Sequence, residues 1–276
     1  MNNLAVRTIS GVVFLALMVA GMLFHPIAFG VLFLVALYMS LREFLNITMG
    51  DRWILQQKLS LLTACLCFIL IMGHIFWNLD IKWIACVLIP VLAISVSTVL
   101  AASHEKVEDV SFAFMGFLYV GLPFCLMPVL AGYGGDFNGI VLLNVFIIIW
   151  CSDVGAYVIG TLLGQKPDSR KLAPAISPKK SWWGLWGGIF FALIAALVLN
   201  LVGWMNYTLV HCLALGLLIA VSGVCGDLFE SVWKRRYGFK DSGNCIPGHG
   251  GMLDRFDSSL FAIPAVFVYL TLFGLL

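Results

Sequence analysis

An all-α, polytopic membrane protein is the fold class that the sequence predicts, and three observations predict it. The chain of 276 residues is 62% hydrophobic and only 11% charged, which is more apolar surface than one soluble core can hide. Its apolar stretches have the length of about 17–25 residues that crosses a hydrocarbon layer as helix, and they lack the period-two alternation of a membrane barrel. Its lysines and arginines fall in alternate loops, the pattern of a chain that weaves through a bilayer.

Breaks at charges, prolines and glycine clusters divide the chain into nine expected spans: 8–24, 26–44, 57–77, 83–102, 110–132, 138–163, 183–204, 207–232 and 254–275. The opening "MNNLAVRTISGVVFLALMVAGMLF" has no small-residue cleavage site ahead of a soluble domain, so it reads as a retained first span. With nine spans, fifteen of the sixteen Lys and Arg residues share one side, and only Lys82 lies opposite. Because basic residues accumulate on the cytoplasmic side, this count expects a cytoplasmic N-terminus and an external Leu276. A single polytopic domain is expected over 1–276, with N-terminal spans in 1–137 and the spans that flank two polar loops in 138–276. The expected location is a bacterial inner membrane.

The eight cysteines sit mostly inside spans and form no CxxC pair, which excludes a zinc site of that type and a disulfide framework. The formal charge of +2 decides little, because the basic residues are segregated to the face where anionic headgroups and nucleotides are found. No repeat or low-complexity tract is present. Nucleic acid is not an expected partner.

Two loops on the basic side carry the polar information. One is "SDVGAYVIGTLLGQKPDSRKLAPAISPKKSWWGLWGG", Ser152 to Gly188, and the other is "GDLFESVWKRRYGFKDSGNCIPGHGGMLDRFDSSL", Gly226 to Leu260. In the second, Asp227, Glu230, Ser231 and Lys234 stand at i, i+3, i+4 and i+7, which gathers them on one helical face. Asp227 follows an apolar run, and a carboxylate at membrane depth is costly by about 2.5–3.5 kcal/mol unless something binds it. That points to a metal ligand. For Glu230, an ion pair with Lys234 is an equally good reading.

Asp254, Asp257 and Ser258 repeat the i, i+3, i+4 arrangement at the start of the last span, where an acid also suits the helix dipole. Two acid-bearing helix ends joined by a loop suit a hard divalent cation such as Mg²⁺, which leaves room for phosphates. Between them, Gly243, Gly248, Gly250 and Gly251 allow backbone N–H groups to approach an anion, with Pro247 stiffening the entry. His249 has no second His or Cys at metal spacing, which favours a hydrogen-bonded role over ligation. Lys234, Arg235, Lys240 and Arg255 offer charge for phosphates, while Arg236 reads as a cytoplasmic anchor. In the first loop, Asp153 and Tyr157 lie one turn apart. Lys171, Ser177, Lys179, Lys180 and Ser181 then interleave cations with hydroxyls, as a polyanionic nucleotide or lipid phosphate would require. Trp182, Trp183 and Trp186 fit an interfacial aromatic belt.

These residues resemble a family. Ser231-x-x-Lys234-Arg235, Lys240-Asp241, Pro247-Gly-His-Gly-Gly251 and Asp254-Arg255-x-Asp257 are similar to the signature of phosphatidate cytidylyltransferases, also called CDP-diacylglycerol synthases. Asp227 and Glu230 match the lead into it, and "SDVGAYVIG" with "LAPAISPKKSWWG" is similar to the family's other polar region; together they cover about a third of the chain. Trp183 departs from the pattern, where Glu or Gln is usual. The resemblance implies that CTP and phosphatidic acid give CDP-diacylglycerol and pyrophosphate in a polar cavity among packed helices. It implies Mg²⁺ on Asp227 and Asp254, and a catalytic set of Asp227, Asp254, Lys234, Lys240 and Asp257. Substrate contacts would come from Asp153, Ser177, Lys179, Lys180, Ser181, Ser231, Arg235, Asp241, Gly248, His249, Gly250, Gly251 and Arg255. A homodimer stays open. An ion-coupled transporter using Asp153, Asp227 and Glu230 is the main rival, and another phosphotransferase acting on a lipid phosphate is the second.

Overall fold

Helix accounts for nearly all of the regular structure, because a backbone in hydrocarbon must satisfy its N–H and C=O groups within the segment. The fold, known from a computed structural model, is described for residues 3–101, 106–132, 136–166, 168–245, 248 and 250–276. In order come α1 (Asn3–Leu23), α2 (Pro26–Met49), α3 (Ile54–Trp77), a 3₁₀ segment (Ile81–Val87) leading into α4 (Leu88–Ala101), α5 (Ser111–Gly116) and α6 (Leu122–Ala131). Then follow α7 (Ile140–Leu162), strands β1 (Lys171–Ala173) and β2 (Ser177–Ser181), α8 (Trp182–Leu201), α9 (Leu209–Arg236) and α10 (Leu253–Leu272). Among the described residues, eight helical stretches are long and apolar enough to cross a membrane, and α1 adds a shorter apolar helix over Thr8–Leu23.

The helices overrun the predicted spans where charge marks the end of the hydrocarbon but not of the helix. α2 continues from residue 44 to Met49 and stops only at Gly50, whose φ of 59° ends it. α9 continues from 232 to Arg236. The stretch Val107–Ala131 is one span with a wide turn inside it: Phe117–Gly121 is π-helical, closed by Leu122 N–H donating to the Phe117 carbonyl. Pro123 follows directly. It offers no N–H to the Tyr119 carbonyl, so the ladder must shift there.

The chain forms two compact units, residues 1–138 with 236–256, and residues 139–235 with 257–276. The first is held by aromatic packing. Phe29 and Phe33 stack at 4.7 Å between ring centroids, and Phe256, at the start of α10, meets Phe124 at 5.0 Å and Phe33 at 6.2 Å. Such pairs contribute about 0.5–1.5 kcal/mol each beyond burial. The second is held by backbone approach. On α7 and α8, a Cβ at Gly155 would lie 2.7 Å from the Gly187 carbonyl and one at Gly187 2.8 Å from the Gly155 carbonyl. Small residues let membrane helices close to this distance, where dispersion replaces the missing hydrophobic drive.

Between α7 and α8 the sequence suggested only a polar loop. There, β1 and β2 pair antiparallel, with Lys171 opposite Ser181 and Ala173 opposite Ser177.

Candidate active site

In the second unit, the polar face of α9 forms as its spacing predicts. Glu230 and Lys234 are both buried and their charged atoms are 2.5 Å apart, so this pair is an internal ion pair one turn long. Neither charge would be tolerated at that depth without the other. One turn earlier, Asp227 is half-buried and takes its partner from the hairpin: Lys180 Nζ lies 2.5 Å from Asp227 Oδ2. Ser231 adds a long 3.5 Å contact to Asp227 Oδ1. Arg235 Nε donates a weak 3.4 Å bond to the Ile176 carbonyl, so the hairpin is fastened to α9 at two points. Gly226 makes this possible. Any Cβ there would fall within 3.0 Å of the Asp257 carbonyl, so α9 meets α10 backbone to backbone at the residue that precedes Asp227.

The remaining predicted residues of this unit are placed as follows. Ser177, Lys179 and Lys180 line β2, with Lys179 exposed. Ser181 is buried, and its hydroxyl caps α8 by accepting from Gly184 N–H at 3.1 Å. Asp153 is exposed on α7. Asp257 lies one turn along α10 from Asp254, and the charges of Asp227, Asp153 and Lys234 all reach it. Trp182, Trp183 and Trp186 are exposed on the first turns of α8, with Trp183 at 51%.

In the first unit, Ser242, Gly250 and Gly251 of the glycine-rich loop surround Asp254. Its carboxylate accepts from Ser242 N–H at 3.0 Å and from Gly251 N–H at 2.8 Å, and Gly248 and Gly250 take φ of 76° and 84°, values open to glycine at little cost. A Cβ on Gly250 would lie 2.7 Å from Asp254 Oδ2. Lys240, Asp241 and Arg255 are exposed. Pro247 and His249 lie outside the described residues.

A functional group that the sequence reading passed over is Glu43, on α2. It accepts from Ser242 Oγ at 2.8 Å, Met252 N–H at 3.0 Å and Leu253 N–H at 2.8 Å. Cys245 is nearby. Partial burial, and then the Glu43 charge, push its thiol above the usual range. Its one sequence signal is an acid near the end of an apolar span, beside Arg42, which offers it an obvious local charge partner.

The donor chemistry fits Mg²⁺. Asp227 in the second unit and Asp254 in the first each offer hard carboxylate oxygens, and Mg²⁺ commonly uses one or two protein carboxylates, with phosphates and water completing its shell. Among the described residues, no three His, Cys, Asp or Glu side chains gather into a cage, so phosphate oxygens would have to supply much of the coordination.

Helices of membrane-crossing length, with carboxylates, lysines and a glycine-rich loop at their ends, define the class as a multi-pass membrane protein with polar, charged helix ends. The chain belongs to the cytidylyltransferase family, whose pattern matches residues 5–273. It is 37% identical over 209 residues to the phosphatidate cytidylyltransferase of Bacillus subtilis (strain 168), covering 75% of this chain and 76% of that one. It is 38% identical over 173 residues to the phosphatidate cytidylyltransferases of Staphylococcus saprophyticus and Staphylococcus aureus (strain COL), where the match spans 63% of this chain and 64% of theirs, a little under two thirds.

Proposed function

We propose that this chain transfers a cytidylyl group from CTP to phosphatidic acid, giving CDP-diacylglycerol and pyrophosphate. The family match across residues 5–273 carries this reading, and a nucleotidyltransferase in a multi-pass membrane protein is what that family and the apolar helices together require. The Lys180–Asp227 pair and the Asp254 cradle support it, since both present charge where phosphates would be handled.

A phosphate oxygen of phosphatidic acid attacks the α-phosphorus of CTP in line; the new P–O bond forms as the bond from the α-phosphorus to the bridging oxygen breaks, and the electron pair leaves with pyrophosphate. The nucleophile is already an anion, so no general base is assigned. Positioning and charge carry the catalysis. Mg²⁺, held by Asp227 and Asp254, would neutralise the phosphates and the leaving group. Lys180 exchanges its carboxylate partner for a phosphate when substrate arrives, while Lys240 and Arg255, exposed in the described structure, bind further phosphate oxygens. Ser177, Lys179, Ser231, Arg235 and the backbone of Gly248–Gly251 complete the substrate contacts. Glu230 and Lys234 neutralise each other at depth, and Lys234 extends that charge toward Asp257. In the bilayer we place the N-terminus and both polar loops on the cytoplasmic side of the inner membrane, where CTP is found.

The purified protein is expected to release pyrophosphate from CTP only when Mg²⁺ and phosphatidic acid are both present, and EDTA should abolish release. Asp227→Asn and Asp254→Asn keep size and remove charge, so each should lower turnover by about three orders of magnitude, roughly 4 kcal/mol of barrier, with insertion intact. Ion- or solute-dependent flux in sealed vesicles, without lipid-dependent CTP consumption, would overturn the enzyme in favour of a transporter.

A further inference from the structure

Glu43 sits far from the signature in sequence, yet its carboxylate joins three separate groups of the loop before α10. Its donors lie 199, 209 and 210 residues away: Ser242 Oγ, Met252 N–H and Leu253 N–H. Two of them are backbone groups at the start of α10, which has no intrahelical acceptor for its first N–H groups and whose dipole favours a negative charge there. Gly243 packs against the same carboxylate so closely that a Cβ would lie 2.6 Å from Oε1. Ser242 closes the network on its other side. Its N–H donates to Asp254 at 3.0 Å, and its hydroxyl oxygen accepts from Asp254 N–H at 3.3 Å.

From this geometry we propose that Glu43 is a positioning residue for the transfer reaction, acting through Ser242 and the first turn of α10 to fix the orientation of the Asp254 carboxylate; the inference rests on the cytidylyltransferase reading. Both carboxylate oxygens are used, Oε1 by Met252 and Oε2 by Leu253 and Ser242. An amide cannot replace them. Its single oxygen satisfies one side, and its NH₂ group turns a donor toward an N–H donor on the other. Ser242, Met252 and Leu253 would then lose their fixed register against α2, while the apolar packing of α2 stays as it was.

The test compares Glu43→Gln, Ser242→Ala and the double variant with the full-length protein in detergent, using CTP and phosphatidic acid. Glu43→Gln should lower kcat for CDP-diacylglycerol formation by about 10–100-fold, the usual effect of removing a group that orients a catalytic carboxylate, with the KM for phosphatidic acid changed less than threefold. Ser242→Ala should lower kcat in the same way, and the double variant should lose less than the product of the two losses, because both act through one network. In the absence of substrate and metal, the amides of Met252 and Leu253 should exchange with solvent faster in Glu43→Gln, while those of α3 exchange as in the parent protein. A folded Glu43→Gln variant with kcat within threefold of the parent, or with unchanged exchange at Met252 and Leu253, overturns the proposal. If Glu43→Gln does not fold, multiplicative rather than shared losses cannot be read from it, and unchanged Met252 and Leu253 exchange together with full activity in Ser242→Ala overturns it instead. A parent protein that makes no CDP-diacylglycerol would refute the functional reading alone, since the exchange measurement still decides whether Glu43 holds the loop.

Discussion

At the scale of single residues, two kinds of side chain set the candidate site, and the sequence exposed only one of them. Glu230 and Lys234 stand four apart on a helix, and that spacing alone brings them together; the structure places them 2.5 Å apart. Lys180 and Asp227 are equally close, but 47 positions separate them, and no local period connects a strand residue to a helix residue. Glu43 belongs with the second kind: its partners come from the other end of the chain. Trp183 tests the same distinction from the surface. It departs from the family pattern, yet in the structure it is half exposed in the first turn of α8 beside Trp182, where an aromatic ring anchors a helix at the headgroup level. Trp183→Phe keeps an apolar ring and should retain most activity in vesicle-reconstituted protein. A loss beyond about a hundredfold, roughly 2.7 kcal/mol of barrier, in protein that inserts normally would show that the side chain contacts substrate.

Elements come next, and here hydropathy and helical period revealed most of the architecture because each membrane helix must satisfy its own backbone. What they missed follows from the same physics. The hairpin of β1 and β2 is eight strand residues joined by a short turn, too short for an alternating pattern to stand out, and it is fastened to α9 through Lys180, paired with Asp227, and the Ile176 carbonyl, bonded by Arg235, as a lone two-stranded hairpin is marginal by itself. α2 and α9 run past the charges that end their apolar runs, because charge marks the edge of the hydrocarbon and not the end of a helix. The close passage of α9 over α10 was also hidden, since a glycine in an apolar run gives no hint of what it touches. Gly226 and Gly223 separate these effects within one helix. Ala favours a helix interior by about 1 kcal/mol over Gly, but at Gly226 the added Cβ collides with the Asp257 carbonyl, whereas at Gly223 its nearest neighbour is Ser258 Cβ at 3.5 Å, an ordinary contact. Gly226→Ala should therefore lower the thermal unfolding temperature, reflecting about 1–3 kcal/mol of overpacking, and should reduce CDP-diacylglycerol formation at least tenfold by moving Asp227. Gly223→Ala should match the parent protein in both measurements, and equal effects from the two would show that the contact of Gly226 with α10 is not what matters.

For the whole molecule, the distribution of charge reads as a topology. Arg170, Lys171, Lys179 and Lys180 cluster between α7 and α8, while the chain after α10 ends in apolar residues without a charge. Lys82, the one basic residue expected on the opposite side, is ion-paired with Asp80 at 2.8 Å, and this pairing holds the Asp80 carboxyl below its ordinary range, so even that exception adds little net positive charge. Between the α7–α8 connection and Leu276 lie three helices, α8, α9 and α10, each long and apolar enough to cross. An odd number of crossings puts the two points on opposite sides whatever the N-terminal helices do. The basic cluster is the ground for proposing which side is which, because lysine and arginine accumulate on the cytoplasmic side. A reporter inserted beside Ser169 should accordingly read cytoplasmic, and one fused after Leu276 should read external. Both reporters on one side would mean that at least one of the three C-terminal helices does not cross, and if that helix is α8 or α9, the hairpin that carries Lys180 and the α9–α10 connection would lie on opposite faces of the membrane. Opposite sides with the assignments exchanged would instead leave the crossings intact and place the proposed CTP site outside the cell, where the charge argument and the cytidylyltransferase reaction would fail together.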